Sequence, residues 1–286
     1  MKFENTQVSN FSGALRGMRN PLASWDKSDS FFGIVNFEQY ESIITSMSKR
    51  WADKKICGYD DHSENISEEE MYDYYIETSC ENLKKNGILQ GGGNEKNDFP
   101  FEVALIGPND MKLAQKLIAA GPEHRKFLRQ VFVSVDITAP LYWWKEMDTY
   151  KVATVANSTS TMHKLASTEI TLDCFDIDDF QSELEYYKGN TVGMFSDLII
   201  EQLEFLRQKY NETKDKRYWK ELVRWLPNGW LQTRTWTANY ETIRAICSKG
   251  QRRNHKLTEW SVSFIEWAHT LPYAQYFIFD DENVEF

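Results

Sequence analysis

A fold of mixed helix and sheet is what this sequence predicts, and the periodicity of its apolar residues is the reason. Phe37, Tyr40, Ile43, Ile44, Met47 and Trp51 fall at three- and four-residue spacing and predict a helix over 36–55 whose stripe packs a core. Val131, Val133, Val135 and Ile137 alternate with Phe132, Ser134 and Asp136, the period of a strand with one fully apolar face. That strand leads into the stretch around which the chain is organised, YWWKEMDTYKVATVANSTSTMHK, from Tyr142 to Lys164. Leu141, Trp144, Lys145 and Asp148 sit at i, i+3, i+4 and i+7, a helix whose flat aromatics can wall a pocket. From Thr154 to Thr161, six of eight residues are Ser, Thr or Asn, whose side-chain oxygens compete with the backbone and favour a loop over a helix. Behind the basic Lys151, that loop reads either as a cradle for an anionic or heterocyclic ligand or as a solvated connection.

In chain order, residues 1–30 contain GALRGMRNPLASWDKSDS, show no clear period, and read as an ordered loop or arm. Arg16 and Arg19 are surface charges there, or reach a phosphate in a neighbouring subunit. Ser67 and Glu70 form a capping box that opens a helix through Lys85, stopped by Gly87. The glycines of LQGGGNEKND lack the lysine and the helix start of a phosphate loop and read as a surface loop. A strand over 101–105 precedes a helix over 110–120, capped by Asn109 and closed at Gly121. After the hydroxyl-rich loop, LASTEITLDCFDIDDF is part strand and part acidic turn. A long amphipathic helix over 178–210 follows, interrupted at Gly189 or Gly193, with Ile199, Ile200, Leu203 and Leu206 on its buried face. A helix over 216–225 stops at Pro227 and Gly229, WLQTRTWT alternates as a strand, and 239–248 and 256–270 are closing helices. The expected organisation is an N-terminal arm and helical region over 1–100 and an α/β core over 101–286, packed as one compact domain.

Composition narrows the chemistry. With 286 residues, 41% hydrophobic and 27% charged, the chain can bury a substantial core. A net charge of −10 disfavours nucleic acid and anionic membranes, so a phosphate-bearing ligand needs a local basic cluster. Lys249, Arg252, Arg253 and Lys256, beside His255, are such a cluster, or else favourable charge at a helix C-terminus. Cys57, Cys80, Cys174 and Cys247 lack CxxC spacing and the start lacks a secretory pattern, so a cytoplasmic location is expected. No apolar run approaches the roughly 18 residues of a bilayer span, and the five dispersed histidines with no HExxH predict no metal site. Neither GxSxG nor GxGxxG occurs, which removes the usual marks of serine hydrolases and Rossmann enzymes. Ten tryptophans fill core, and mildly favour a site that stacks a flat ring.

Residues 226–243, LPNGWLQTRTWTANYETI, and 253–260, RNHKLTEW, resemble the C-terminal half of flavin-dependent thymidylate synthases. In that family a Leu-Pro precedes a strand carrying Thr-Arg, an Asn begins a helix, and an Arg lies seven residues before a Trp on the last helix. Here these are Leu226-Pro227, Thr233-Arg234, Asn239, Arg253 and Trp260. Upstream, Glu123-His124 stands where the family often has the same pair. The family signature, Arg-His-Arg followed by Ser-x-Asn-Glu-x-Ser-x-Arg-Tyr, is degenerate: Asn157 and Ser160 remain, but Tyr150-Lys151-Val152 replaces the triplet, Val155 the first serine, Ser158 the glutamate and Met162 the later arginine. The resemblance covers residues 120–270, and the whole chain is also similar to divergent phage-encoded relatives. It implies a mixed sheet flanked by long helices, a homotetramer, and reductive methylation of a pyrimidine deoxynucleotide, with FAD as cofactor and methylenetetrahydrofolate and NADPH as co-substrates. Carried over, Arg253 and Ser160 serve catalysis, and Arg224, Asn157, Ser158, Lys151 and Arg234 bind the nucleotide. Asn239, Tyr150, Trp144 and His255 hold the flavin. Because the triplet is missing and a lysine cannot reproduce a bidentate guanidinium fork, a nucleotide- or protein-binding relative without the reaction is the alternative. The reading expects the loop at Asn157 and the guanidinium of Arg253 to converge on one cavity.

Overall fold

The computed structural model describes residues 1–52, 68–75, 101–178, 180–248 and 255–279. The triglycine segment, Arg253 and most of the helix expected after Ser67 lie outside these. The chain is a mixed α/β protein, as its interleaved periods predict, and divides into two compact units.

The first unit comprises Met1–Thr6, Ser134–Ala238 and Leu257–Glu259 and is built on a sheet. Its strands are ordered β1 (Lys2–Ser9), β4 (Phe132–Pro140), β8 (Leu231–Asn239) and β5 (Val155–Ser158). In β4 the expected apolar face is buried at Val133, Val135, Ile137 and Ala139, while Phe132 is exposed. β5 runs antiparallel to β8, with Asn157 opposite Thr235 and Ser158 opposite Arg234. Half of the expected hydroxyl-rich loop is therefore a strand. VANS is exposed at all four positions, so backbone pairing alone defines it and no apolar alternation could have marked it.

After β4 comes α5 (Leu141–Met147), and α6 (Thr161–Ser167) follows β5. Residues 178–210 are not one long helix. Glu185–Tyr187 (β6) and Asn190–Thr191 (β7) pair antiparallel around Gly189, whose φ of +80° suits a tight turn that residues bearing a Cβ rarely make. Thr191 then caps α7 (Val192–Thr213), its Oγ1 accepting from the Met194 N–H at 3.3 Å. Asp215 caps α8 (Lys216–Trp225), which ends as expected before Pro227. Leu165, Ile170, Phe175, Leu203, Leu222 and Trp230 form an apolar cluster beneath these helices.

The second unit comprises Gln7–Val133, Asn239–Lys256 and Trp260–Phe286. Residues 1–30 are not an arm: they supply β1 and α1 (Phe11–Arg19). Phe11, Ala14, Leu15 and Met18 are buried at helical spacing, a stripe that the flanking glycines and arginines obscure in the sequence. Phe31–Val35 (β2) and Phe101–Leu105 (β3) pair antiparallel, Phe31 opposite Leu105. α2 (Phe37–Ala52) buries Tyr40, Ile44, Met47 and Trp51, and a helical segment, α3, covers 68–75. α4 (Pro108–Ala119) begins two residues earlier than expected, because Gly107 rather than Asn109 precedes it and Pro108 is set for the first helical position. A Cβ on Gly107 would meet the Asp29 backbone oxygen at 2.5 Å; the bare glycine lets the Asp29 carboxylate accept from the Asn109 and Asp110 N–H groups. α9 (Tyr240–Cys247) is capped by Asn239, and a π-helical turn over Glu259–Phe264 precedes α10 (Ile265–His269) and α11 (Ala274–Phe277).

Several buried polar groups of this unit hold more than one partner. Asp110 is 0% exposed and accepts from Arg19 Nε at 2.5 Å, Ser28 Oγ at 2.6 Å and Ser30 Oγ at 2.5 Å. Tyr75 Oη accepts from Trp51 Nε1 at 2.7 Å and donates to the Ile106 carbonyl at 2.7 Å. Tyr273 Oη donates to the Ala104 carbonyl and accepts from the Ile106 N–H. Among the described residues no helix is long and apolar enough to cross a membrane.

Candidate functional site

The site residues expected from the sequence separate into three groups. Most lie where β5, β8 and α5 meet. The Leu141 N–H donates to the Trp230 carbonyl and the Tyr142 N–H to the Asn228 carbonyl, both at 3.0 Å, so α5 starts against the segment that opens β8. Trp143 and Trp144 are buried in contact with each other, ring centroids 4.8 Å apart, and pack core instead of walling a pocket. The Arg234 guanidinium lies over the Trp144 ring at 4.3 Å, donates from Nη1 to Asp148 Oδ1 at 2.7 Å, and from Nε to Gln232 Oε1 at 2.9 Å. Gln232 in turn donates from Nε2 to the Thr159 carbonyl and Thr161 Oγ1. One network thus runs from Asp148 through Arg234 and Gln232 to the hydroxyl-rich segment, with Ser158 beside Arg234 across the strands. Asn157, Ser158, Ser160 and Lys151 are exposed, and Tyr150 is half-buried.

The second group stands apart from that network. Arg224 is exposed on α8 and held by Glu221 at 2.5 Å. Asn239 and His255 belong to the other unit. Asn239 is buried with its Oδ1 accepting from the Thr242 N–H at 2.9 Å, and His255 lies 6.3 Å from the Trp260 ring, centroid to centroid. The third is Arg253, outside the described residues, so its expected convergence with Asn157 is untested.

A cavity of about 620 Å³ opens in the sheet unit, within the roughly 300–1,000 Å³ typical of small-molecule sites. Its hydroxyls come from Thr138 on β4, Thr233 on β8, Thr159 just after β5, Thr161 at the start of α6 and Thr168 just past its end. Strand pairing aligns the first three: Thr138 and Thr233 share a hydrogen bond of 2.7 Å, and the Thr159 N–H donates to the Thr233 carbonyl at 2.9 Å. Phe175 and Trp230 supply a flat apolar wall, their rings edge to face at 5.5 Å, and Lys164 and Asp176 add opposite charges. The cavity is lined by the immediate neighbours of the residues singled out from the sequence: Thr159 and Thr161 flank Ser160, and Thr233 precedes Arg234. In an extended strand, adjacent side chains point to opposite faces, so a match of one residue places its neighbour on the other side. Thr138, Phe175 and Asp176 were missed, and only their residue types in an alternating strand and an acidic turn could have drawn notice.

Three carboxyl groups here are displaced from ordinary behaviour. Glu204 is held at about 2 by hydrogen bonds from Arg207, assisted by the Ile170 N–H. Hydrogen bonds from Thr235 and Asn5 lower Asp136. Glu259 is raised by burial. Among the described residues no three His, Cys, Asp or Glu side chains are placed to hold a metal ion.

Of the residues carried over for flavin, Trp144 and Asn239 are committed to other contacts. Trp144, at 1% exposure, is covered by Arg234 and donates from Nε1 to the Gln232 carbonyl, and Asn239 is committed to its helix cap. No reaction step is therefore derived through flavin.

No protein-family model and no curated protein sequence matches the chain. Among solved structures, it is similar to the flavin-dependent thymidylate synthase ThyX from Helicobacter pylori complexed with FAD and dUMP, at 12% identity and TM-score 0.44, over 73% of this chain and 93% of that one. A second structure of the same enzyme with FAD and dUMP gives 14% identity, the same coverage and TM-score 0.44. A UMP/dUMP methylase, PolB from Streptomyces cacaoi bound with 5-Br UMP, gives 13% identity over 59% of this chain and 84% of that one, at TM-score 0.40. At these identities and scores the likenesses do not fix a family for this chain.

Proposed function

We propose that the chain binds a pyrimidine deoxynucleotide in the threonine-lined cavity of its sheet unit, as a divergent protein of the flavin-dependent thymidylate synthase type. The observation that carries this reading is the pairing of β5 with β8. Two sequence segments that separately resemble that family, one around Asn157 and the other around Thr233-Arg234, are adjacent strands, and Thr159 and Thr161, just beyond the first, line one cavity with Thr233 of the second. Lys164 and five threonine hydroxyls suit a phosphate and sugar, Phe175 and Trp230 suit a planar base, and Asp176 offers an acceptor for a ring or sugar donor.

Reductive one-carbon transfer to the base is the activity the resemblance adds, and it would require FAD, methylenetetrahydrofolate and NADPH. A homotetramer and a phage origin belong to the same extension. Binding without the reaction is the second reading, favoured by the commitment of Trp144 and Asn239 to other contacts. Two measurements on the purified chain separate the readings. Calorimetric titration with dUMP is expected to show saturable binding that Thr233→Val weakens; absence of any binding ends both nucleotide readings. A visible flavin absorbance band, native or after soaking with FAD, favours the enzyme, whereas a colourless protein that binds dUMP is the non-catalytic relative.

A further inference from the structure

Where α5 meets the cavity wall, a single phenol serves two acids. Tyr142 Oη contacts both Asp176 Oδ2 and Glu259 Oε1, and the two carboxyl groups also act directly on each other. A phenol has one proton, so it donates to one carboxylate; its contact with the second is a hydrogen bond only when that carboxyl brings its own proton. Two bare carboxylates at this separation would instead repel. Glu259 is 5% exposed while Asp176 lines the cavity, so burial assigns the extra proton to Glu259. Burial raises Glu259 above the usual 4.5, and the neighbouring Asp176 pushes in the same direction. The titratable groups facing Glu259 are Tyr142, from α5, and Asp176; those facing Tyr142 are the same two acids.

These contacts join three separate segments. Asp176 closes the strap over 172–176, which is also fastened by the Asp176 N–H donating to the Gly229 carbonyl at 2.8 Å, by a backbone bridge from Phe175 to Trp230 and by the packing of the Phe175 ring against Trp230. The Asp176 side-chain contacts reach α5 and the segment ending at Glu259.

We propose that Glu259 and Tyr142 are positioning residues that hold Asp176 in the cavity wall while Glu259 is protonated, so that the cavity loses affinity for its ligand as pH rises. The sign follows from linkage. An acid that keeps its proton longer in the folded chain stabilises the fold fully below its ordinary value of 4.5 and loses that contribution as pH rises through the higher folded value.

The test uses the full chain. An infrared titration of the wild type is expected to show a protonated-carboxyl C=O band that persists as pH rises above 4.5 and that Glu259→Gln removes; a wild type in which no such band persists above 4.5 overturns the proposal. The thermal midpoint of the wild type should fall as pH rises above 4.5 relative to Glu259→Gln, whose neutral amide cannot ionise; parallel profiles overturn it. If Glu259→Gln does not fold, Asp176→Asn replaces it, since removing the neighbouring charge should shrink the same slope, and an unchanged slope counts against the clasp. The affinity arm rests on the nucleotide reading. Because the phosphate of dUMP also titrates, wild type and variant are compared at each pH, with the wild type expected to lose up to about tenfold more affinity for each pH unit above the point at which Glu259 ionises. Equal losses overturn the link to the cavity. Failure of dUMP to bind at any pH refutes the nucleotide reading and leaves the clasp to the infrared and thermal arms.

Discussion

The two units bury polar groups in opposite ways. In the helix-rich unit two buried groups are satisfied on several sides: Asp110 receives one guanidinium and two hydroxyl protons, and Tyr75 both accepts and donates. In the sheet unit, one phenol lies between two carboxyl groups, and five threonines border an open cavity. Saturated networks fix a structure; an undersupplied one leaves capacity for a proton or a ligand. The contrast lies between buried groups held by several donors and a cluster and cavity that leave room for a proton or a ligand.

The largest expected effect breaks the saturated side of this contrast. Asp110→Ala strands the buried Arg19 guanidinium, and loss of one partner of a buried pair costs about 3–5 kcal/mol, readable as a reduced denaturation midpoint. Tyr75→Phe should cost about 2 kcal/mol by the same measurement, since it orphans Trp51 Nε1 and the Ile106 carbonyl together. Glu204 sharpens the contrast from within the sheet unit, because its sign is opposite to that of Glu259. Its depressed value means that stability is present above 4.5 and is lost as pH falls toward about 2. Glu204→Gln should remove that acid sensitivity and lower neutral-pH stability by about 1.5 kcal/mol. Smallest is Thr233→Val, which removes the bond to Thr138 and should lower stability by about 1 kcal/mol or less while weakening dUMP binding several-fold.

Legibility in the sequence followed burial. β4 and α2 were readable because one face of each is buried in register with its period. β1 and β5 were not, because both end the sheet and carry mostly polar residues, so backbone pairing defines them without an apolar pattern. The 178–210 segment misled for a different reason: Tyr186, Tyr187 and the α7 residues Met194, Leu198 and Phe205 are apolar yet exposed, and mimic a continuous amphipathic helix across a hairpin. At the site, the hydroxyl-rich segment was found, but which of its alternating residues face the cavity depends on pairing with β8, a long-range fact. The Tyr142–Asp176–Glu259 contacts bring together residues over a hundred positions apart and carry no local signature.

The central claim is that β5 and β8 border a pyrimidine nucleotide site. A crystal structure of the chain grown with saturating dUMP tests it most directly. The account predicts nucleotide density against Thr159, Thr161 and Thr233 with the base beside Trp230. An empty cavity under those conditions, or a nucleotide bound at another surface, would contradict it.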